Sequence, residues 1–286
     1  MGKTPDLLND PIPLLIRKIG FPAGLGIFFN TMYNVVDTWF GGRISTTALA
    51  AMSLSFPVFF ILISFGSGFA TGVTALVGNA LGARDDRKAR ELTVHSLLFG
   101  FILTVFITAI GLLLSPSLFR ILGAKEEYLS EALAYIQIIF AGSIFFIFSN
   151  FLNAILTAAG NTKPYRNVLI VGFFVNIGLD PWFIYGGLGV PAMGLKGVAV
   201  ATVVIQAAGS LYLLLTVRKT GLLRPLPSPP ADSPRRLLNG KHLRDLLVQG
   251  LPASTNYLTV AAGIFIITYF ISGFGREAVA AYGAAV

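Results

Sequence analysis

No cysteine occurs in the 286 residues. Disulfides, thiolate metal sites and cysteine nucleophiles are therefore excluded, though compartment is not decided by it. Histidine is almost as scarce. His95 and His242 are the only two, and no H-E-x-x-H motif or paired histidine occurs, so the constellations an intramembrane enzyme needs are missing and the chain reads as a non-enzyme with no cofactor. Charge is scarce too: Asp, Glu, Lys and Arg make up 12% of the chain and hydrophobic residues 55%. Soluble domains carry roughly 25% charged residues. With a mean hydropathy of +0.76, the composition implies a polytopic membrane protein.

What is abundant is apolar sequence in long runs. Stretches of the ~20 residues that cross a bilayer lie near 14–40, 48–77, 92–114, 132–157, 168–189, 195–217 and 246–271, and an eighth starts at about 278. Phe99–Leu114 and Val203–Val217 offer no charged outer face, as helices of a soluble bundle would. The fold class is an all-α polytopic membrane helical bundle. Residues 218–245, rich in Pro, Ser and Arg, read as an exposed linker. The predicted organisation is an N-terminal six-helix lobe over 1–217, the linker over 218–245, and the start of a second lobe over 246–286. His242 falls in the linker and reads as a solvated histidine. His95 opens the third span at headgroup level.

Residues 250–283 repeat residues 20–53 at an offset of 230 without a gap. Gly20, Pro22, Ala23, Thr38, Phe40, Ala48, Ala50 and Ala51 recur as Gly250, Pro252, Ala253, Thr268, Phe270, Ala278, Ala280 and Ala281. An internal repeat implies paired halves and a full-length protein of roughly 460 residues, with this chain ending inside its eighth span. Duplicated membrane proteins point to transporters, whose sites lie between like halves.

Orientation follows from the basic residues. With the N-terminus inside, 16 of the 21 lysines and arginines fall on the inner side, and only Arg43, Arg120, Lys125, Lys196 and Arg276 fall outside. The rule that basic loops stay cytoplasmic then places the N-terminus inside a cell (inner or plasma) membrane. The same flanking residues explain the net charge of +8; they interleave with no aromatic stacking face, so nucleic acid is not a partner. Residues 1–13 show no cleavage site, and no removable signal peptide is expected.

Two carboxylates stand out among the 13 acidic residues. Asp37 and Asp180 alone sit well inside spans. An ionised carboxylate at that depth costs roughly 2.5–3.5 kcal/mol on insertion scales, so it requires a partner, a cavity or a proton. No lysine or arginine lies at their depth, which leaves a proton, a metal cation or a cationic substrate; the structural alternative is a protonated carboxyl that only joins two helices. Asn176 precedes Asp180 by four residues, and Asn30 and Tyr33 precede Asp37 by seven and four, so each acid has polar neighbours on its own helix face. Pro181 leaves the Ile177 carbonyl without its usual donor. Asn150, Asn153, Gln137, Thr202 and Gln206 add polar atoms inside spans, any of which could simply join helices.

Several motifs together resemble the multidrug and toxic compound extrusion (MATE) transporters, and specifically their DinF-like branch. They are Gly20-Phe21-Pro22, Tyr33-Asn34-Val35-Val36-Asp37-Thr38, Ala48-Leu49-Ala50-Ala51, Gly78-Asn79-Ala80-Leu81-Gly82-Ala83, Ala158-Ala159-Gly160-Asn161-Thr162-Lys163-Pro164 and Asn176-Ile177-Gly178-Leu179-Asp180-Pro181. The resemblance implies two six-helix lobes that export organic cations or amphiphilic drugs in exchange for H+ or Na+. It also implies a cation-coupling site of Asp37, Asn176 and Asp180, the metal ligands if sodium couples, with Tyr33 and Thr202 beside it. Pro22, with Pro181, lets helices bend, and Asn30, Tyr135, Asn150 and Asn153 are candidate substrate contacts. Gly66, Gly68, Ala70 and Gly72 would permit the close helix contact that alternating access needs. A lipid-linked oligosaccharide or lipid flippase of the same superfamily is the alternative, although a diphosphate headgroup favours arginine or lysine inside the spans, where this chain has none.

Overall fold

The computed structural model describes residues 10–124, 126–224 and 240–285. Helix α1 (Ile12–Leu15) passes through a π-helical turn, Ile16–Gly20, into α2 (Phe21–Ile44), a continuous run of 33 residues. The wide turn has a local cause. Pro22 has no N–H to give to the carbonyl of Lys18 and its ring crowds that carbonyl, so the ladder loosens in the turn just before it. Helix α3 (Thr46–Gly82) begins where the Ser45 hydroxyl accepts the Ala48 N–H at 2.9 Å, and α4 (Asp86–Ile121) where the Asp85 carboxylate accepts the Lys88 N–H at 2.9 Å. Both are side-chain caps of orphan helix donors.

The single straight span expected over 132–157 is instead two helices, α5 (Glu126–Ala141) and α6 (Ser143–Ala158), bent by 46° at Gly142. A Cβ at Gly142 would overlap Val203, so a glycine is required where the corner meets its neighbour. The Thr108 hydroxyl bonds the Phe140 carbonyl at 3.2 Å and Ser143 Oγ at 2.5 Å, giving polar partners to a backbone whose ladder is interrupted. Helix α7 (Lys163–Tyr185) runs unbroken through Pro181, and α8 (Leu195–Thr220) ends at Gly221, whose φ of +82° is the left-handed cap that glycine supplies without strain. Then come α9 (Gly240–Ser272) and α10 (Arg276–Ala285). Among the described residues six helices are long and apolar enough to cross a membrane, seven with the bent pair, and there is no strand, only a bridge between Gly187 and Val190.

Helix α3 is central and packs on α2, α4, α5, α6, α9 and α10. Its glycines allow the approach. A Cβ at Gly68 would overlap Ser254 of α9, one at Gly72 would meet the Gly250 backbone at 3.0 Å, and one at Gly66 would meet the Asn150 side chain of α6 at 3.3 Å. Without solvent-driven burial between helices in lipid, such small-residue contacts supply the packing. Outward faces are apolar: Phe101, Val105, Phe106 and Leu113 on α4, and Val260, Ile266, Ile267 and Phe270 on α9 are exposed.

The expected linker starts and ends differently. Helix α8 continues to Thr220 and α9 begins at Gly240; residues 225–239 lie outside the described residues. His242 is therefore not a solvated loop histidine. It is buried in the first turn of α9, its ring edge-on to His95 with centroids 4.9 Å apart. The reason is a stripe of buried residues every fourth position, His242, Leu246, Gly250 and Ser254, which carries the helix upstream into sequence whose prolines and arginines suggested a loop.

Candidate cation site

Three helices bring the site together. Gly26 lets α2 approach α7, where a Cβ would meet Leu169 at 3.2 Å and the Arg166 backbone at 3.5 Å. Gly197 lets α8 approach α7, where a Cβ would lie 2.7 Å from the Phe183 backbone. Asp37 on α2, Asn176 and Asp180 on α7 and Thr202 on α8 are all buried. The two acids therefore share one buried interior.

The Asn176 amide Nδ2 donates to Asp37 Oδ1 at 2.9 Å, and the Thr202 hydroxyl donates to Asp37 Oδ2 at 3.4 Å. The Tyr33 hydroxyl donates to Thr202 Oγ1 at 3.2 Å, which extends the chain by one link. Tyr135, buried on α5, lies close enough to feel both carboxylates. Asp180 is different. Both of its carboxyl oxygens, and Asn176 Oδ1, are buried without a hydrogen-bond partner. Neither acid has an ion pair among the described residues, whose salt bridges are Lys18–Asp10 and Arg87–Glu91. Arg43, the basic residue nearest Asp37 in sequence, has its guanidinium 5.2 Å from the centre of the Trp39 ring.

Unsatisfied buried acceptors cost about 1–3 kcal/mol each, and more when charged. Three such oxygens lie on two side chains one helical turn apart, and a proton or a cation that favours oxygen satisfies them. Among the described residues no group of three or more His, Cys, Asp or Glu could hold a metal. The chemistry therefore points away from zinc-like ions, which take nitrogen and sulfur donors.

The other candidates are dispersed. Asn30 is exposed on α2. Pro22 lies fifteen residues before Asp37 in the same run, about 22 Å along the axis. Asn150 and Asn153 line a separate polar cleft with Ser67, Thr71, Thr74, Thr157 and Tyr257. These hydroxyl partners are not singled out in the sequence, although the spacing 67, 71, 74 marks one helix face.

Residues 22–182 match the MatE family. The chain belongs to the MATE family. It is 33% identical over 274 residues to the probable multidrug resistance protein YoeA of Bacillus subtilis, covering 95% of this chain and 57% of that protein. It is 28% identical to the FAD transporter of Shewanella oneidensis, covering 97% of this chain and 60% of that one. An inward-facing multidrug resistance MATE family transporter of the MOP superfamily superimposes with a TM-score of 0.76 at 31% identity, over 90% of this chain and 57% of the other. The MATE chain described here thus spans a little over half the length of the relatives it matches.

Proposed function

We propose that the whole protein exports organic cations or amphiphilic drugs by alternating access, in antiport with H+ or Na+, and that the coupling ion binds at Asp37, Asn176 and Asp180. The observation that carries this reading is the trio of buried, unpartnered oxygens on Asp180 and Asn176, beside an Asp37 already held by two donors. Oxygens left in this state gain from a positive charge placed between them. Protonation, or a sodium ion held by the same oxygens, neutralises a charge otherwise buried at a cost of several kcal/mol. Occupancy then biases the packing of α2 and α7 and hence the facing state. Tyr33 and Thr202 orient Asp37, the π turn before Pro22 supplies a flexible point on the same run, and Tyr135, buried on α5, is a substrate contact. The reading further assigns the chain to the DinF-like branch and to a cell membrane with its N-terminus cytoplasmic, and has a second lobe of the same protein complete the transport path. A flippase for lipid-linked diphosphates gains no support from a site with acids and no base.

The test is ethidium efflux from membrane vesicles containing the full-length protein, driven in turn by a proton gradient and a sodium gradient. One of the two must accelerate efflux. Equal rates with and without both gradients would overturn coupling, and absence of efflux under all conditions would overturn export.

A further inference from the structure

A second polar feature lies apart from the acids. Ser67, Thr71 and Thr74 follow one face of α3, Asn150, Asn153 and Thr157 face them from α6, and Tyr257 of α9 closes the third side of a cleft of about 230 Å³. Thr71 lies eleven residues, about 17 Å, from the end of α3 at Gly82. Asp37 instead lies seven residues from the opposite end of its own run at Ile44. Since α2 ends where α3 begins, the cleft and the acid site sit towards opposite faces of the membrane.

The lining is polar yet carries no charged side chain. Part of its hydrogen-bonding capacity is used locally: Thr71 Oγ1 donates to the Ser67 carbonyl at 3.0 Å, Thr74 Oγ1 to the Ala70 carbonyl at 3.0 Å and the Ala154 carbonyl at 3.4 Å, and Thr157 Oγ1 to Asn153 Oδ1 at 3.4 Å. The rest is idle. Among the described residues, the Ser67 hydroxyl, the Asn150 carboxamide and the Tyr257 phenol have no hydrogen-bond partner. Gly66 admits Asn150 close to α3, so the amide is held at the cleft wall.

Donors and acceptors of this kind, fixed at membrane depth without a counter-charge, select by chemistry. An ionised group entering here loses hydration and meets no opposite charge, whereas a group that both donates and accepts hydrogen bonds replaces its water bonds one for one. We propose that the α3–α6–α9 cleft binds the uncharged, amide- and hydroxyl-bearing part of a transported molecule. This rests on the export reading above and gives it a division of labour: charge is handled by Asp37 and Asp180, neutral polarity by this cleft. It also names substrates with no cationic centre as ligands of the protein.

The absence of cysteine from residues 1–286 provides a direct test. Thr71→Cys is made in the full-length protein, with any cysteine elsewhere replaced by serine, and maleimide labelling of purified protein is timed. Chloramphenicol, neutral and rich in amide and hydroxyl groups, should slow labelling about tenfold at saturation, while the permanent cation tetraphenylphosphonium should not. Asn150→Leu, added to the reporter, should remove that protection without lowering the melting temperature, and Asn150→Gln should restore part of it. Protection by the cation as great as by chloramphenicol, protection by neither, or protection that survives Asn150→Leu would each overturn the proposal. Ethidium efflux by the full-length protein with Thr71 unchanged separates the two claims. Efflux without chloramphenicol protection removes the cleft assignment alone; protection without efflux removes the export reading and leaves a binding site.

Discussion

Helix α2 and the part of α9 that repeats its sequence carry different chemistry on one pattern of residues. Moving 230 residues along, Pro22 becomes Pro252, Gly24 becomes Ser254, Tyr33 becomes Gly263 and Asp37 becomes Ile267. Asp37 is buried among α7 and α8, whereas its counterpart Ile267 brings no carboxylate at all. Pro22 is buried after a π turn, while Pro252 is exposed within an uninterrupted α-helix. Even the helix break is repeated, since α10 begins at Arg276, 230 residues after α3 begins at Thr46. Duplication has preserved the residues that set helix length and contact, and the buried acid belongs to one copy alone. Scaffold and chemistry are separable in this chain.

The strongest way to break that comparison is to remove the chemistry from the first copy. Asp37→Asn and Asp180→Asn, each in the full-length protein, should bring ethidium efflux to background at normal membrane yield, because a neutral amide of the same shape is easier to bury but attracts no cation. Efflux near the wild-type level in both variants would take these residues out of the mechanism. The converse change, Ile267→Asp, should lower the inserted yield, since a carboxylate well inside a span costs roughly 2.5–3.5 kcal/mol on insertion scales, with efflux per inserted molecule retained.

Packing gives the next largest difference. A side chain at Gly24 meets nothing within 4 Å, but Ser254, its counterpart, presses against Gly68. Ser254→Leu should therefore destabilise by about 1–3 kcal/mol, the usual cost of overpacking, and Gly24→Leu by far less. Melting temperatures in detergent read both, and equal losses would refute the asymmetry.

Smaller effects should follow from the side chains that hold Asp37. Thr202→Val and Tyr33→Phe each remove one link of the chain from Tyr33 through Thr202 to Asp37. A hydrogen bond to a charged group is worth about 1.5–3 kcal/mol. Efflux at limiting ion concentration should thus fall more in Thr202→Val than in Tyr33→Phe, with higher ion concentration restoring both; a loss that no concentration restores would mean that they hold the fold instead.

The mildest change separates the two prolines. Pro22→Ala returns an N–H to the ladder and should slow amide exchange over residues 16–21 as the π turn regularises, while Pro252→Ala leaves exchange around residues 246–251 little changed. Unchanged exchange at both would mean that Pro22 does not cause the wide turn.

Much of this is legible in the sequence, for identifiable reasons. Apolar runs of bilayer length are counted directly, and α3, α4, α7, α8 and α9 fall on them with ends that differ by at most seven residues. Asp37 and Asp180 are conspicuous because carboxylates are so costly in lipid that two within spans demand a shared interior. Gly66, Gly68 and Gly72 do make the close contacts their size suggests. Other features were not legible. The corner at Gly142 looks like any glycine in an apolar run, since what requires it is Val203, sixty-one residues away. His242 was hidden because proline and arginine in the preceding stretch outweigh a four-residue stripe that only a neighbouring helix makes meaningful.

By itself the sequence determined the class, the spans, the repeat and which two acids must be buried, because length, hydropathy and the cost of charge in lipid are properties of residues taken one at a time. Tertiary structure decided that Asn176 and Thr202 serve Asp37 while Asp180 keeps both oxygens unpartnered, and that Ser67, Asn150 and Tyr257 converge on one cleft. Those outcomes depend on the rotation and offset of one helix against another. A shift of one residue turns a side chain by about 100° and slides it 1.5 Å, which is enough to make or lose a hydrogen bond and which no pattern along a single helix records.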